Sequence, residues 1–173
     1  MEEKHKKLTK TPYEYADLAY RYVQCVQSGD SAVDYGTGEL YTYVEMHTLS
    51  LIEDYPGITA SDIAERNYRT KGAVSQILNK LEEKGLIRRE KDPQNARRVC
   101  LYVTPIGLDL SQKHKEYDEK HMGDVLEDWI SLFGYDAVEK FYAIMNYYIE
   151  SYPSLLANSM KEQSETSVNK KKK

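Results

Sequence analysis

The sequence predicts a mainly α-helical fold with one small β-hairpin, the wing, and three observations lead to that prediction. Apolar residues recur at helical spacing through most of the chain. One short segment instead alternates apolar and polar residues, as paired strands do. Directly before it lie two short stretches with the capping residues of helices. Two helices followed by a hairpin, between longer flanking helices, form a winged helix-turn-helix arrangement.

The composition is typical of one soluble globular unit. The chain has 173 residues, of which 40% are hydrophobic and 30% are charged. No apolar run approaches the roughly 18 residues of a membrane span, and the N-terminal MEEKHKKLTK lacks the apolar region of a signal peptide. Cys25 and Cys100 are too few for a disulfide framework. We therefore expect a cytoplasmic protein that does not associate with membranes.

The chain is expected to consist of five segments. Residues 1–10 form a flexible N-terminus, and residues 158–173 form a disordered polar tail that ends in four lysines. Between them lie two scaffold and dimerisation helices in 11–57, the winged helix-turn-helix in 58–104, and the C-terminal dimerisation helices in 105–157.

Capping residues place the first two helices. Thr11 and Glu14 form a capping box, and the first helix is expected to end at Ser28. Residues 30–38 are expected to form a loop, and the second helix to span about residues 39–54. The predicted inward face of this second helix carries Leu40, Val44, His47, Leu51 and Tyr55.

Two shorter helices follow, and each has its own start signal. Thr59 and Asp62 form the capping box of the first. Asn67-Tyr68-Arg69 is expected to make the turn, because asparagine tolerates left-handed backbone angles. Thr70 then caps the second helix, and Gly85 ends it.

The helix between Thr70 and Gly85 has one apolar and one polar face. Val74, Ile77, Leu78 and Leu81 recur at i, i+3, i+4 and i+7, so this side is core. Serine, glutamine and asparagine can bond to base edges, lysine can reach guanine or phosphate, and a glycine near the helix N-terminus lets the backbone approach DNA. An ordinary solvated face is the alternative. The candidate reading face carries Lys71, Gly72, Ser75, Gln76, Asn79 and Lys80.

The hairpin is predicted from two alternating stretches. One strand begins at residues 86–89, the other covers residues 99–103, and residues 90–98 form a polar loop between them. Arg97 and Arg98 lie in that loop, and a guanidinium on a thin loop suits the narrow, electronegative minor groove. Surface arginines without a role in binding are the alternative.

The distribution of charge favours a nucleic-acid partner although the net charge is −4. Residues 58–107 hold ten lysines and arginines against six acidic residues, and the remainder of the chain holds fourteen against twenty-two. A basic reading region on an acidic body can orient the protein on DNA.

In their order, these motifs resemble the MarR (multiple-antibiotic-resistance regulator) family of winged-helix transcription factors. The resemblance lies in the LEEKGLIRRE junction of residues 81–90, in Asp92-Pro93 opening the wing, and in an Asp-x-Arg-x5-Leu-Thr-x2-Gly element. In this chain that element runs from Asn95 to Gly107, with asparagine in place of the acid and Val103 in place of the leucine.

The resemblance covers roughly residues 11–152, and it implies a homodimer that represses transcription from a pseudo-palindromic operator. It implies that Arg97 enters the minor groove while Arg98 and Arg88 contact phosphates. Since Asn95 cannot form the ion pair of an aspartate, the free wing is expected to be more mobile than in the family. Together with the reading face, the predicted DNA contacts are Arg69, Thr70, Lys71, Gly72, Ser75, Gln76, Asn79, Lys80, Arg88, Arg97 and Arg98.

The chain beyond the wing predicts a subunit interface. A long helix is expected from Thr104-Pro105 to about Leu132, then a turn at residues 133–135, and a last helix that stops at Pro153. These helices and the first carry more apolar surface than one small core can cover, so dimerisation is the economical explanation. A monomer that folds them over itself is the alternative.

Candidates for other chemistry are weaker. His47, His114 and His121, with Glu45, Cys25 and Asp118, could form a metal site, but no HxxH, HExxH or CxxC pair occurs, and packed histidines and a buried Cys25 are the simpler interpretation. Phosphate loops, nucleophile elbows and paired acidic motifs are lacking, so we expect neither an enzyme nor a cofactor. Eight tyrosines could instead line a site for a small aromatic or amphipathic effector, or simply pack in a core or an interface: Tyr13, Tyr15, Tyr20, Tyr22, Tyr35, Tyr41, Tyr43 and Tyr55.

The sequence thus predicts a dimeric DNA-binding transcriptional regulator, most simply a repressor that a small ligand releases. Two alternatives stay open. One is a winged-helix module that binds another protein and not DNA, since fold is a poor guide to function. The other is a metal-responsive regulator of the same fold.

Overall fold

The computed structural model describes residues 9–28 and 31–151. Residues 135–151 are helical and are called α6 here. Strands pair antiparallel in two small sheets, β1 with β2 and β3 with β4. The mainly helical fold with one wing is confirmed. The other elements in chain order are α1 (Pro12–Ser28), β1 (Val33–Asp34), β2 (Leu40–Tyr41), α2 (Tyr43–Asp54), α3 (Ala60–Arg66), α4 (Lys71–Glu83), β3 (Ile87–Asp92), β4 (Asn95–Val103) and α5 (Pro105–Phe133).

The chain divides into two units, Met1–Tyr117 and Asp118–Lys173. In the first unit, α2, α3, α4, the wing and the start of α5 share one hydrophobic core. In the second, Trp129 on α5 packs edge-on against Phe141 on α6, with ring centroids 5.7 Å apart. None of the helices in the described ranges combines the length and the apolar composition needed to cross a membrane. The largest fully buried side chains of the first unit include Met46, Leu49, Ile52, Ile63, Leu78, Leu81, Leu86, Leu101 and Leu110.

Helix α1 begins where its capping box predicts. The Glu14 carboxylate accepts from the backbone N–H of Thr11 at 2.7 Å and from its hydroxyl at 2.9 Å. These bonds satisfy donors that the first turn of a helix leaves open. From Pro12 to Val26 every side chain is exposed in the single chain. Helix α1 therefore contributes nothing to the core of one subunit.

The predicted start and inward face of the second helix are wrong. Helix α2 begins at Tyr43 and not at residue 39, because Leu40 pairs in β2 and Thr42 forms an unpredicted capping box with Glu45. The predicted loop of residues 30–38 contains β1. The inward face is formed by Met46, Leu49 and Ile52, whereas Leu40, His47 and Tyr55 are exposed. Tyrosine and histidine are often exposed to solvent, so they are poor markers of the buried side of a helix. A face predicted partly from His47 and Tyr55 therefore lies on the wrong side of α2.

Helices α3 and α4 have the predicted caps, and the turn lies at the predicted residues, but the left-handed residue in it is not the asparagine. Tyr68, with φ 51°, adopts the left-handed conformation, and Asn67, with φ −96°, does not. The Arg69 N–H donates to the Ala64 carbonyl at 2.9 Å, which closes the turn across the end of α3. This is the bond pattern of a Schellman motif, in which the residue after the C-cap is left-handed. The local capping bonds at the end of α3, and not the preference of asparagine, therefore decide which residue is left-handed.

The wing is longer and its loop shorter than predicted. Residues 90–92 and 95–98, expected in the loop, belong to β3 and β4, so only Pro93 and Gln94 lie between the strands. The register is irregular next to Asp92, which pairs with Asn95, while Lys91 pairs with Val99. Arg97 and Arg98 lie within β4 but in the irregular stretch between these two pairs, and not at the tip.

The junction from the wing to α5 is built around one carbonyl group. The Leu86 carbonyl accepts from the Thr104 N–H at 2.9 Å and from its hydroxyl at 3.2 Å. The Thr104 hydroxyl in turn accepts from the Gly107 N–H at 3.1 Å. A Cβ added to Gly107 would lie 2.0 Å from the Leu86 carbonyl oxygen. Glycine is therefore required where α5 crosses the first strand of the wing.

The long helix after the wing is confirmed. Helix α5 ends at Phe133, and Gly134, with φ +83°, makes the turn into α6. Three predictions lie outside the described residues: the end of the last helix at Pro153, the polar tail, and most of the flexible N-terminus.

Candidate nucleic-acid interface

Helix α4 is held in the core by one face and presents the other to solvent. Val74, Leu78 and Leu81 are at most 1% exposed, and Ile77 is half-buried. The Thr70 hydroxyl accepts from the Ala73 N–H at 3.2 Å and fixes the start of the helix. The whole predicted reading face is exposed, together with the turn before it: Arg69, Thr70, Lys71, Gly72, Ser75, Gln76, Asn79 and Lys80.

Gly72 lies on that face with open space around it. A Cβ built on it would meet nothing within 4 Å, so the fold of the subunit does not require glycine there. This contrasts with Gly107, where the backbone itself demands it. A small residue at the N-terminus of α4 instead leaves room for an approaching partner.

Two residues of the reading face have protein partners that the sequence did not reveal. Asn79 accepts a hydrogen bond through Oδ1 from Arg89 Nη2 at 2.7 Å. Lys80 Nζ lies 3.6 Å from the Oε1 atom of Glu45 on α2. The partners are ten and thirty-five residues away along the chain, on other elements. The Asn79 oxygen and the Lys80 ammonium group are consequently less available to DNA than the side chains of Ser75 and Gln76.

Glu45 links the start of α2 to α4. Its Oε2 atom accepts from the Thr42 backbone N–H at 2.8 Å, and its other oxygen faces Lys80. Burial by itself raises the pKa of this carboxyl group, but the bonds from Thr42 and the charges of Lys80 and Lys84 together outweigh burial. The pKa is therefore lowered below the ordinary 4.5.

This lowered pKa predicts a stability effect at acid pH. A carboxyl group with a depressed pKa in the folded state stabilises it above the unfolded pKa, and the contribution is lost as the pH falls through the folded value. Glu45→Gln keeps the capping acceptor and removes the charge. We expect it to lower the free energy of unfolding by about 0.5 kcal/mol at pH 7, because Lys80 is solvent-exposed. In urea unfolding, the difference from the parent should begin to shrink as the pH falls below 4.5 and should disappear only below the lowered pKa of the folded state. A difference that keeps its full size throughout this acid range would contradict this assignment.

The wing arginines differ in their surroundings. Arg88 forms an ion pair with Glu90 and lies over the Tyr102 ring, 4.8 Å from its centroid. Arg98 lies 3.7 Å from Asp92. In the described part of the chain the Arg97 guanidinium has no ion pair, and its backbone N–H donates to Asn95 Oδ1 at 3.2 Å. Asn95 thus orders the local backbone without a charge, and Arg97 is the arginine most available to a partner.

The structure brings together some candidate metal ligands and separates others. The rings of His47 and His114 meet edge-on, with centroids 4.9 Å apart. Asp118 lies one helical turn beyond His114 in the sequence of α5. Glu45 is occupied by Thr42 and Lys80, as described above. Cys25 is exposed in the single chain, so the expectation of a buried small hydrophobe is wrong.

The tyrosines do not form one cluster. Of the eight predicted candidates, only Tyr35 and Tyr41 are buried. Tyr35 packs edge-on against His114 and Tyr117, with ring centroids 5.2 and 5.3 Å apart. Tyr43 packs against His47 with tilted rings, whose centroids are 3.8 Å apart. A small aromatic group lies between α2 and α5, while the tyrosines of α1 face solvent.

The fold and the exposed face of α4 define the class as a winged helix-turn-helix protein. Residues 41–99 match the model of the MarR family. A curated relative, the uncharacterized HTH-type transcriptional regulator YhjH of Bacillus subtilis (strain 168), is 35% identical over 88 residues, which cover 51% of this chain and 50% of the relative. The chain spans half or less of the length of the curated relatives that it matches first.

Solved structures share the fold. The crystal structure of MarR gives a TM-score of 0.61 at 23% identity and covers 89% of this chain and 99% of that one. The MepR–DNA complex of S. aureus gives 0.60 at 24% identity and covers 83% and 99%. Residues 41–99 are thus similar to the MarR family, in agreement with the resemblance found in the sequence. The family and its curated relatives are transcriptional regulators, in agreement with the prediction that the chain is not an enzyme.

Proposed function

We propose that this protein is a transcriptional regulator that binds double-stranded DNA with sequence preference. The observation that carries the proposal is the exposed polar face of α4, whose opposite face is locked into the core. Ser75 and Gln76 on this face would meet base edges in the major groove. Arg97 on the wing would reach the adjacent minor groove, where narrow A·T-rich segments attract guanidinium groups. The MepR structure, which contains DNA, supports this use of the fold.

A titration against the DNA that flanks its own gene tests the proposal. Fluorescence anisotropy should show tighter binding to this DNA than to random duplex at moderate salt. The affinity should fall steeply as salt rises, because lysines and arginines release condensed counterions from the phosphates. Equal affinity for flanking and random DNA would contradict sequence-specific regulation.

The proposed active form is a homodimer that acts as a repressor on a pseudo-palindromic operator. Helix α1 supports the dimer, because its large apolar side chains are exposed in the single chain, and so are several on α6. Such surface on long helices is typical of subunit interfaces. On α1 the exposed apolar residues include Tyr13, Leu18, Tyr20, Tyr22, Val23 and Val26.

Leu18→Glu tests the dimer. Leu18 is 47% exposed in the single chain, so a charge there costs little in a monomer but would be buried unpaired in an interface. We expect the parent to be dimeric by light scattering and the variant to be largely monomeric, with operator affinity reduced at least tenfold because two half-sites are no longer joined. Asp17→Ala, one residue away and paired with Arg21 on the surface, is the control and should leave the dimer intact. A variant that stays dimeric would show that α1 is not the interface.

A small ligand would regulate such a dimer by favouring one distance between the α4 helices of its two subunits. The aromatic group of Tyr35, Tyr43, His47, His114 and Tyr117 supports an aromatic or amphipathic effector, because these rings can stack on a ligand while their polar atoms orient it. An effector of this class should lower operator affinity without unfolding the protein.

A metal-responsive regulator is the second candidate, and the adjacency of His47 and His114 favours it. Imidazole nitrogens are ordinary ligands of zinc. Zinc should then bind stoichiometrically near neutral pH and be released by acid as the imidazoles protonate. Metal-free protein that binds its operator normally and ignores added zinc would exclude this candidate.

A further inference from the structure

Arg89, which belongs to none of the predicted DNA contacts, bridges the wing to α4. Its Nη2 atom lies 2.7 Å from Asn79 Oδ1, and its Nη1 atom lies 3.1 Å from the Glu82 Oε2 atom. Asn79 and Glu82 are both on α4, and Arg89 is on β3. The planar guanidinium group thus binds two side chains of one helix at once, which fixes its orientation.

The contact decides which way the Asn79 amide faces. The guanidinium of arginine only donates hydrogen bonds, so the amide oxygen, and not the nitrogen, must face Arg89. The Asn79 amide is planar, and its NH₂ group therefore points away from Arg89. In the described ranges, no side chain or carbonyl accepts from this NH₂ group. Asn79 is exposed on the same face as Gln76 and Ser75.

We propose that Arg89 is a positioning residue that makes Asn79 a hydrogen-bond donor toward DNA. Bidentate recognition of adenine by asparagine uses both the oxygen and the NH₂ group. With the oxygen held by Arg89, Asn79 acts as a donor. Guanine, with the two acceptors O6 and N7, and thymine, with O4, suit it better than adenine, whose N7 acceptor lies beside the N6 donor. The inference rests on the proposed function, since it names the bases that the same face of α4 prefers.

The bridge also removes Arg89 from the set of phosphate contacts. Glu82 compensates its positive charge, and the guanidinium is engaged on two sides. Arg89 should therefore influence which base is preferred at one position and contribute little to general affinity. A phosphate contact would do the opposite, with uniform weakening on every sequence and a shallower salt dependence.

Selection of binding sites from a random duplex pool tests the inference, with the parent, Arg89→Met and Asn79→Asp compared side by side. Arg89→Met removes the donors at similar length and releases the amide. We expect the preference at one base pair of each half-site to shift toward adenine, with the rest of the consensus unchanged. Asn79→Asp keeps the acceptor for Arg89 but removes the NH₂ donors. It should reduce discrimination at the same base pair by roughly 5- to 100-fold, and thermal unfolding should show both variants folded.

The outcomes separate the possible failures. If the parent selects a consensus and folded Arg89→Met selects the same one, the inference is wrong while the proposed function stands. Uniform loss of affinity with a salt slope lower by about one would make Arg89 a phosphate contact. If Arg89→Met does not fold, Asn79→Asp decides, since unchanged discrimination would overturn the inference. A parent that selects no consensus would overturn the proposed function itself.

Discussion

Gly107→Ala should cost about 3 kcal/mol of folding free energy, the largest effect expected from a single methyl group in this chain. The added Cβ would lie 2.0 Å from the Leu86 carbonyl oxygen, and that oxygen is backbone that cannot rotate away. Relief requires α5 to move away from β3, which would break the hydrogen bonds between Thr104 and Leu86. Urea unfolding at fixed protein concentration measures the effect.

Gly123→Ala is the matched control. It is the same substitution on the same helix, and a Cβ there meets nothing within 4 Å. Alanine is favoured over glycine inside a helix by up to about 1 kcal/mol, so this variant should be as stable as the parent or more so. If Gly107→Ala were equally stable, the close crossing of α5 over β3 would not exist in solution.

Arg97→Ala should weaken operator binding substantially, on the order of 1 to 3 kcal/mol. Arg97 is the wing arginine whose guanidinium is available, whereas Arg88 pairs with Glu90 and Arg98 lies close to Asp92. Minor-groove patterns hardly distinguish A·T from T·A, so the loss should be greatest on operators with A·T-rich flanks and should not change the central consensus. Competitive anisotropy with flank variants measures it.

Lys91→Ala is the charge-matched control on the same hairpin. It removes one positive charge from β3 and should weaken binding to all duplexes alike, with little dependence on the flanks. If Arg97→Ala behaves as Lys91→Ala does, Arg97 contributes only general charge. If Arg97→Ala binds the operator as tightly as the parent, the wing does not contact DNA in this protein.

Much of the winged helix-turn-helix could be predicted, because the residues that determine its helices are close together in the sequence. Capping residues predict the start of α4 at Thr70 and its end before Gly85. The buried face of α4 follows from four apolar residues at helical spacing. Gly107 belongs to a sequence motif, but the reason for the glycine, the Leu86 carbonyl beside it, is a contact between distant residues that the sequence does not contain.

The contacts that engage Asn79 and Lys80 within the subunit could not be predicted, because they join residues on different elements. Nothing near Asn79 in the sequence indicates that Arg89 will hold its oxygen, and nothing near Lys80 indicates Glu45 on α2. The predicted inward face of α2 is wrong for a related reason, since tyrosine and histidine occur on both the buried and the exposed side of a helix. Only the position of the neighbouring elements decides which side is buried.

The central claim is that the exposed face of α4 reads base sequence, and the ratio of affinities for operator and random duplex tests it most directly. Ser75 and Gln76 are exposed and make no contribution to the core, so Ser75→Ala/Gln76→Ala should fold as the parent does. The parent should prefer its operator by roughly 1,000-fold or more at moderate salt. The double variant should keep its binding to random duplex and lose most of that preference. A double variant that retains the full ratio would contradict the claim.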